Sequence, residues 1–180
     1  SDQLDLSGII ATEKNVTPTD FLQIHDRISF ADGARISGHV NSIEQAEALI
    51  TLADIPFENV LLKHENENTL IEGEANTLVN IIENGIAVYD TNPTVRIIEK
   101  GLTVDDAVVL GSARIDLTGY HLLEGERANI LEALQLIRFD GFDVEGLVIE
   151  RGEEELHSTS VNNVSALRNV GVIFDASGTE

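Results

Sequence analysis

Apolar residues recur at helical intervals in four separate stretches of the chain. Ile43, Ala46, Ile50 and Ala53 form one stripe, and Ala75, Leu78, Val79 and Ile82 a second. Ile130, Leu131, Leu134 and Ile137 form a third, and Val161, Val164 and Leu167 a fourth. Each stripe covers one side only, which predicts surface helices lying on something flat. A shorter helix at about 103–110 is predicted by Thr103 as N-cap, with Asp105 and Asp106 in the first turn. Between the helices, short apolar runs predict strands at 59–64, 69–72, 86–90, 95–99, 113–117, 146–150, 155–159 and 171–175. Runs such as VLL, RII and LVI lack alternation, as strands buried on both faces do. Strands alternating with helices favour parallel pairing.

The pattern repeats. VLLKHENENTLIEGEANTLVNIIENGIAVYD at 60–90 and LVIERGEEELHSTSVNNVSALRNVGVIFD at 147–175 share one order of features: strand, polar turn, strand, helix, then a strand ending in Asp. AVYD at 87–90 aligns with VIFD at 172–175, and ARISGHVNSIEQAEAL at 34–49 resembles ARIDLTGYHLLEGERANILEAL at 113–134. Two copies are therefore expected, 34–112 and 113–180, the second truncated by the lack of a counterpart to 91–112. Residues 1–33 are expected to form an N-terminal cap or partial unit, with LDLSGI a short strand and FLQIHDRISFADG a strand-turn segment. The expected fold is α/β, with repetitive strand-helix units stacked as a solenoid-like parallel sheet covered by helices. A compact α/β sandwich is the competing arrangement. The phrase Glu-Gly-Glu, in LIEGE at 70–74 and LLEGE at 122–126, is expected to be a joint. Gly would permit a turn, and Glu74 or Glu126 would sit near a helix N-terminus.

Composition narrows the functions. The 180 residues are 42% apolar, enough for a core, but with six Phe, two Tyr and no Trp that core must be aliphatic. A net charge of −21 opposes binding to nucleic acid or anionic membranes and makes cations the natural small partners. Cys is absent, which excludes disulfides and thiolate metal sites. Met is absent even at position 1, as in a processed or excised segment, and no apolar run reaches membrane-spanning length.

Catalytic motifs are not found. There is no Gly-x-Ser-x-Gly elbow, phosphate loop or Gly-x-Gly-x-x-Gly turn. His25, His39, His64, His121 and His157 never pair at zinc-ligand spacing, although His39 with His121, and His64 with His157, occupy related positions in the two copies. Glu124 with Glu126 and Glu153 with Glu155 read as solvated edges, not as a glycosidase pair. No cofactor is expected beyond Ca²⁺. The candidate metal site is DGFDVEG at 140–146, where Asp140, Asp143 and Glu145 gather carboxylates on a loop flanked by Gly. Asp54 with Glu58 is a thinner version of that loop.

The strand-turn-strand-helix blocks at 60–90 and 147–175, with SDQLDLSGI at 1–9 and HDRISFADG at 25–33, resemble repeats of large extracellular bacterial proteins. These are adhesin-like and surface-layer-like chains exported by type I secretion, many carrying RTX elements. The resemblance implies an exported, non-catalytic module that spaces, assembles or adheres, with other copies of itself or cell-surface components as partners. The alternative is a glycan- or protein-binding module using Tyr89, Tyr120 or Phe142 at a loop edge, with the core the stronger expectation for Phe142. A hydrolase assembled from loop acids is a third possibility, requiring two close carboxyls in a deep cleft.

Overall fold

A computed structural model describes residues 8–64, 66, 69–88, 95–150 and 159–175. Two compact units are present: residues 1–73 with 77–96, and residues 74–76 with 97–180. Mixed α/β structure runs through both. Among the described residues there are six helices and thirteen short strands, and every strand pair is parallel.

In the first unit the order is β1 (Ile10–Ala11), β2 (Asn15–Val16), α1 (Pro18–Ile24), β3 (Ser29–Phe30), β4 (Arg35–Val40), α2 (Ile43–Leu52) and β5 (Phe57–Leu62). It continues with β6 (Ile71–Gly73), most of α3 (Ala75–Glu83), β7 (Ile86–Val88) and the start of β8 (Val95–Ile97). The main sheet runs β2-β4-β5-β7, with β1-β3 and β6-β8 as two-stranded pairs. Partners lie a regular distance apart in sequence. Ile10 faces Ser29, nineteen residues on, Ile36 faces Phe57, twenty-one on, and Val60 faces Ile86, twenty-six on. Parallel pairing requires a crossover of a dozen residues or more, and the helices occupy most of these crossovers. Phe21, Ile36, Leu49, Leu62, Leu78, Ile81 and Ile86 are fully buried in this unit.

The second unit holds β9 (Gly101–Leu102), α4 (Val104–Ser112), β10 (His121–Leu122), β11 (Arg127–Ala128), α5 (Ile130–Leu136), β12 (Val148–Ile149), α6 (Val161–Asn169) and β13 (Ile173–Phe174). β9 pairs with β10, and β11, β12 and β13 form one sheet. The same spacing holds, since Gly101 faces His121, twenty residues on, and Val148 faces Ile173, twenty-five on. An isolated parallel bridge joins His121 to Asp143. Val104, Ala107 and Leu110 of α4 and Ile130, Ala133 and Leu136 of α5 turn inward.

Several expectations meet the structure directly. The helix expected at 103–110 is α4, with Thr103 as its N-cap accepting from Asp106 N. The other helices form where the stripes placed them, but their buried faces differ. Leu131 is 67% exposed and Val161 81% exposed, while Ala133 and Leu136 are fully buried. The capping box of Asn129 with Glu132 fixes where α5 begins, and that phase turns Leu131 outward. The strand expected at 113–117 is absent: Ala113 closes α4 and Arg114 adopts φ +67, which breaks extension. Ile115 and Leu117 are still buried. FLQIH at 21–25, expected in a strand-turn segment, instead forms most of α1 and its C-cap. Thr17 caps that helix by accepting from Asp20 N, and Pro18 occupies its first turn.

Glu-Gly-Glu is not one structural joint. In LIEGE, Gly73 is the last residue of β6, and an added Cβ there would meet the Ile43 side chain. In LLEGE, Gly125 makes a turn at φ +84 between β10 and β11. The two glycines answer different needs, close approach in one case and a left-handed turn in the other.

Candidate functional site

Carboxylates cap helices across neighbouring segments of the second unit. Glu126, expected at the start of α5, instead accepts from Val104 N at 2.7 Å, twenty-two residues back at the start of α4. Glu99 does the same for Ala75 N at the start of α3, at 3.2 Å. Each satisfies a backbone donor that the helix itself leaves open. Glu126→Ala should therefore destabilise the chain by about 1–2 kcal/mol, with Glu126→Gln, which keeps an acceptor, recovering part of the loss. Urea midpoints of the three proteins measure this.

Arginines form a second recurring element. Arg35 pairs with Glu58 at 2.9 Å and Arg96 with Glu72, both across parallel neighbours. Arg127 reaches Glu150 at 3.1 Å and Asp175 at 3.8 Å. Tyr120 is buried, donates its hydroxyl to Ile97 O at 3.0 Å and carries Lys100 over its ring at 4.0 Å. These are links between segments distant in sequence, and their exposed ion pairs contribute little each.

The candidate metal residues are distributed as follows. Phe142 and Val144 point into the core, and alternation carries Asp143 and Glu145 outward. Asp143 Oδ1 accepts from Glu145 N at 2.9 Å, a local turn contact. Asp140 is exposed, and its carbonyl accepts from Thr118 Oγ1 at 3.3 Å. Asp143 and Glu145 line a shallow hollow with Arg168, whose guanidinium lies over the Phe174 ring. Asp140 is not among that lining. Among the described residues, no three His, Asp or Glu side chains gather closely enough to hold a metal ion.

Other candidate residues separate likewise. Tyr120, offered as a loop-edge platform for a ligand, is a core residue, Phe142 lies in the core as expected, and Tyr89, His157, Glu153 and Glu155 lie outside the described residues. Glu58 is taken up by Arg35. Glu124 is exposed, and Glu126 is committed to α4. His39 ends up beside His64 in the first unit, while His121 belongs to the second.

Two carboxyls are held below the usual carboxylate range. The hydroxyl and backbone N–H of Thr118 lower Asp116, and a backbone N–H with the Ser42 hydroxyl lowers Glu44. A general acid at neutral pH needs the opposite shift. For a lowered carboxyl, the stabilising contribution is present above its unfolded value and is lost as pH falls through the folded one. Stability should therefore drop below about pH 4, and Asp116→Ala should shrink that acid-side drop. Urea midpoints at pH 7 and in acid measure both.

Among the described residues no helix is long and apolar enough to cross a membrane. No protein-family model, curated protein or solved structure matches the chain.

Proposed function

We propose that the chain is a non-catalytic structural and adhesive module of an extracellular or cell-surface protein. In this reading each unit is a solenoid-like stack of strand-helix coils, and the chain associates with further copies of itself. The observation that carries it is the parallel pairing at recurring separations of about twenty to twenty-five residues, which ends on open strands. Among the described residues β1 and β13 each pair on one side only, with Ile10 61% and Ile173 53% exposed. Such edges are templates for another chain, and a contact joining unlike ends builds filaments.

A charge of −21 per copy resists this association at low salt. Screening or divalent cations such as Ca²⁺ would relieve it. The same charge argues against nucleic acid as a partner. Binding of a glycan or a protein is the second reading. Negative-stain electron microscopy with millimolar Ca²⁺ and with chelator tests the first reading: filaments or a lattice are expected, and uniform small particles in both conditions would contradict it.

A further inference from the structure

The first unit carries a hollow of about 500 Å³ bordered by β1, β2 and α1. Ile10, Val16, Ile24, Ile28 and Phe30 give it an apolar wall, and Glu13 and Asp20 stand among them. β1 and β2 each pair on one side only, so the hollow lies where two sheets stop. Ile9 and Ile10 stay exposed there, an apolar patch of the kind that another protein surface covers.

The second unit shows what a later segment does for an earlier helix. α3 has no acidic residue in its first turn, and Glu99, twenty-four residues on, accepts from Ala75 N at the helix start. Glu99 itself lies five residues ahead of α4. Glu126, four residues ahead of α5, serves α4 in the same way. Glu13 holds the position of Glu99, five residues ahead of α1. It is exposed, and its carboxylate has no partner among the described residues. No described helix precedes it.

α6 is the complement. Alone among the described helices it contains no acidic residue, and Arg168 is its one charge. Like α3, it lacks an acid in its first turn, and no carboxylate among the described residues accepts from Val161 N. Val161 is 81% exposed, and Val170 and Ile173 are exposed beyond the other end of the helix. A positively polarised helix start with exposed apolar neighbours fits a hollow that carries two acids, on a chain whose net charge of −21 makes most other pairings repulsive. β13, which follows α6, also pairs on one side only.

We infer that the hollow of the first unit seats α6 of a second copy, with Val161 against the apolar wall and Glu13 accepting from Val161 N. The contact joins unlike ends and therefore propagates head to tail. It rests on the self-association proposed above and adds its direction and register.

Single cysteines test it cleanly, because the chain has no Cys. Thr12→Cys at the hollow and Asn162→Cys at the start of α6 are both exposed positions. The two proteins, one isotope-labelled, are mixed equally at an associating concentration and treated with a short bismaleimide, and the dimers are weighed by mass spectrometry. Mixed dimers well above the half that random pairing gives are expected. Glu13→Ala should weaken association about tenfold in sedimentation velocity, the size of one charge-assisted contact, at an unchanged melting temperature. Val161→Asp should weaken it at least as much while keeping or raising the melting temperature, because an acid suits the start of α6 but repels Glu13. Random or like pairing, or wild-type association in both variants, while mass still grows with concentration, would overturn this arrangement and leave self-association standing. A monomer at every concentration would overturn both.

Discussion

Phe21→Ala is expected to destabilise the chain by about 3–5 kcal/mol, the range for emptying a buried aromatic site. Phe21 is fully buried on α1. Its ring stacks against Phe30 at 5.3 Å between centroids and against His25 at 5.4 Å. In a core made mostly of aliphatic side chains, these contacts are the first unit's concentration of aromatic packing. Truncation removes both the transferred area and the ring pair, and α1 and β3 are anchored by little else of comparable size. Phe21→Leu, which fills most of the volume, should lose clearly less. A urea midpoint that falls with an unchanged slope is the expected signature. Wild-type stability for Phe21→Ala would mean that α1 is not docked as described.

Leu110→Ala is expected to cost about 2–5 kcal/mol, while Leu131→Ala should stay within about 0.5 kcal/mol. Leu110 is fully buried in α4, and its carbonyl accepts from Ile115 N at 3.1 Å where the chain leaves the helix. Leu131 is 67% exposed on α5. The pair separates the folded arrangement from the hydrophobic stripe read along the sequence, which places Leu131 inside. Comparable losses for the two substitutions would restore the stripe and contradict the phase of α5 described above.

That contrast shows what was legible in the residues. Helices with strong caps could be read: α4 followed from Thr103 and its first-turn acids, and the Thr17-Pro18-x-Asp20 signature would have found α1 as well. Faces were harder, because one misassigned step rotates every side chain by about 100°, and small residues such as Ala133 carry no hydrophobic emphasis. Strands of two or three residues have too few positions to show a period, which hides β2, β9, β10 and β11; the six-residue β4 is hidden too, because Ser37, Gly38 and His39 interrupt its apolar positions, and 113–117 reads as a strand although it is none.

The links between segments were the least legible. Glu126 lies in sequence just ahead of α5, yet it caps α4, because parallel pairing sets it beside a residue twenty-two positions earlier. Asn41 and His64 meet for the same reason, as residues following the ends of neighbouring strands. A linear motif search cannot find groups brought together by such an offset. The acidic loop at 140–145 is the partial case: alternation sets Asp143 and Glu145 on one outward face, while Asp140 stands outside the hollow that they line.

Sedimentation velocity of the full chain at rising concentration and moderate salt, beside Ile10→Lys and Ile173→Lys, tests the assembly claim most directly. Mass growing above the 19.6 kDa monomer with concentration, and suppressed in both variants, is the expected result. A monomer at every concentration, or association that ignores both edge substitutions, would contradict assembly through β1 and β13.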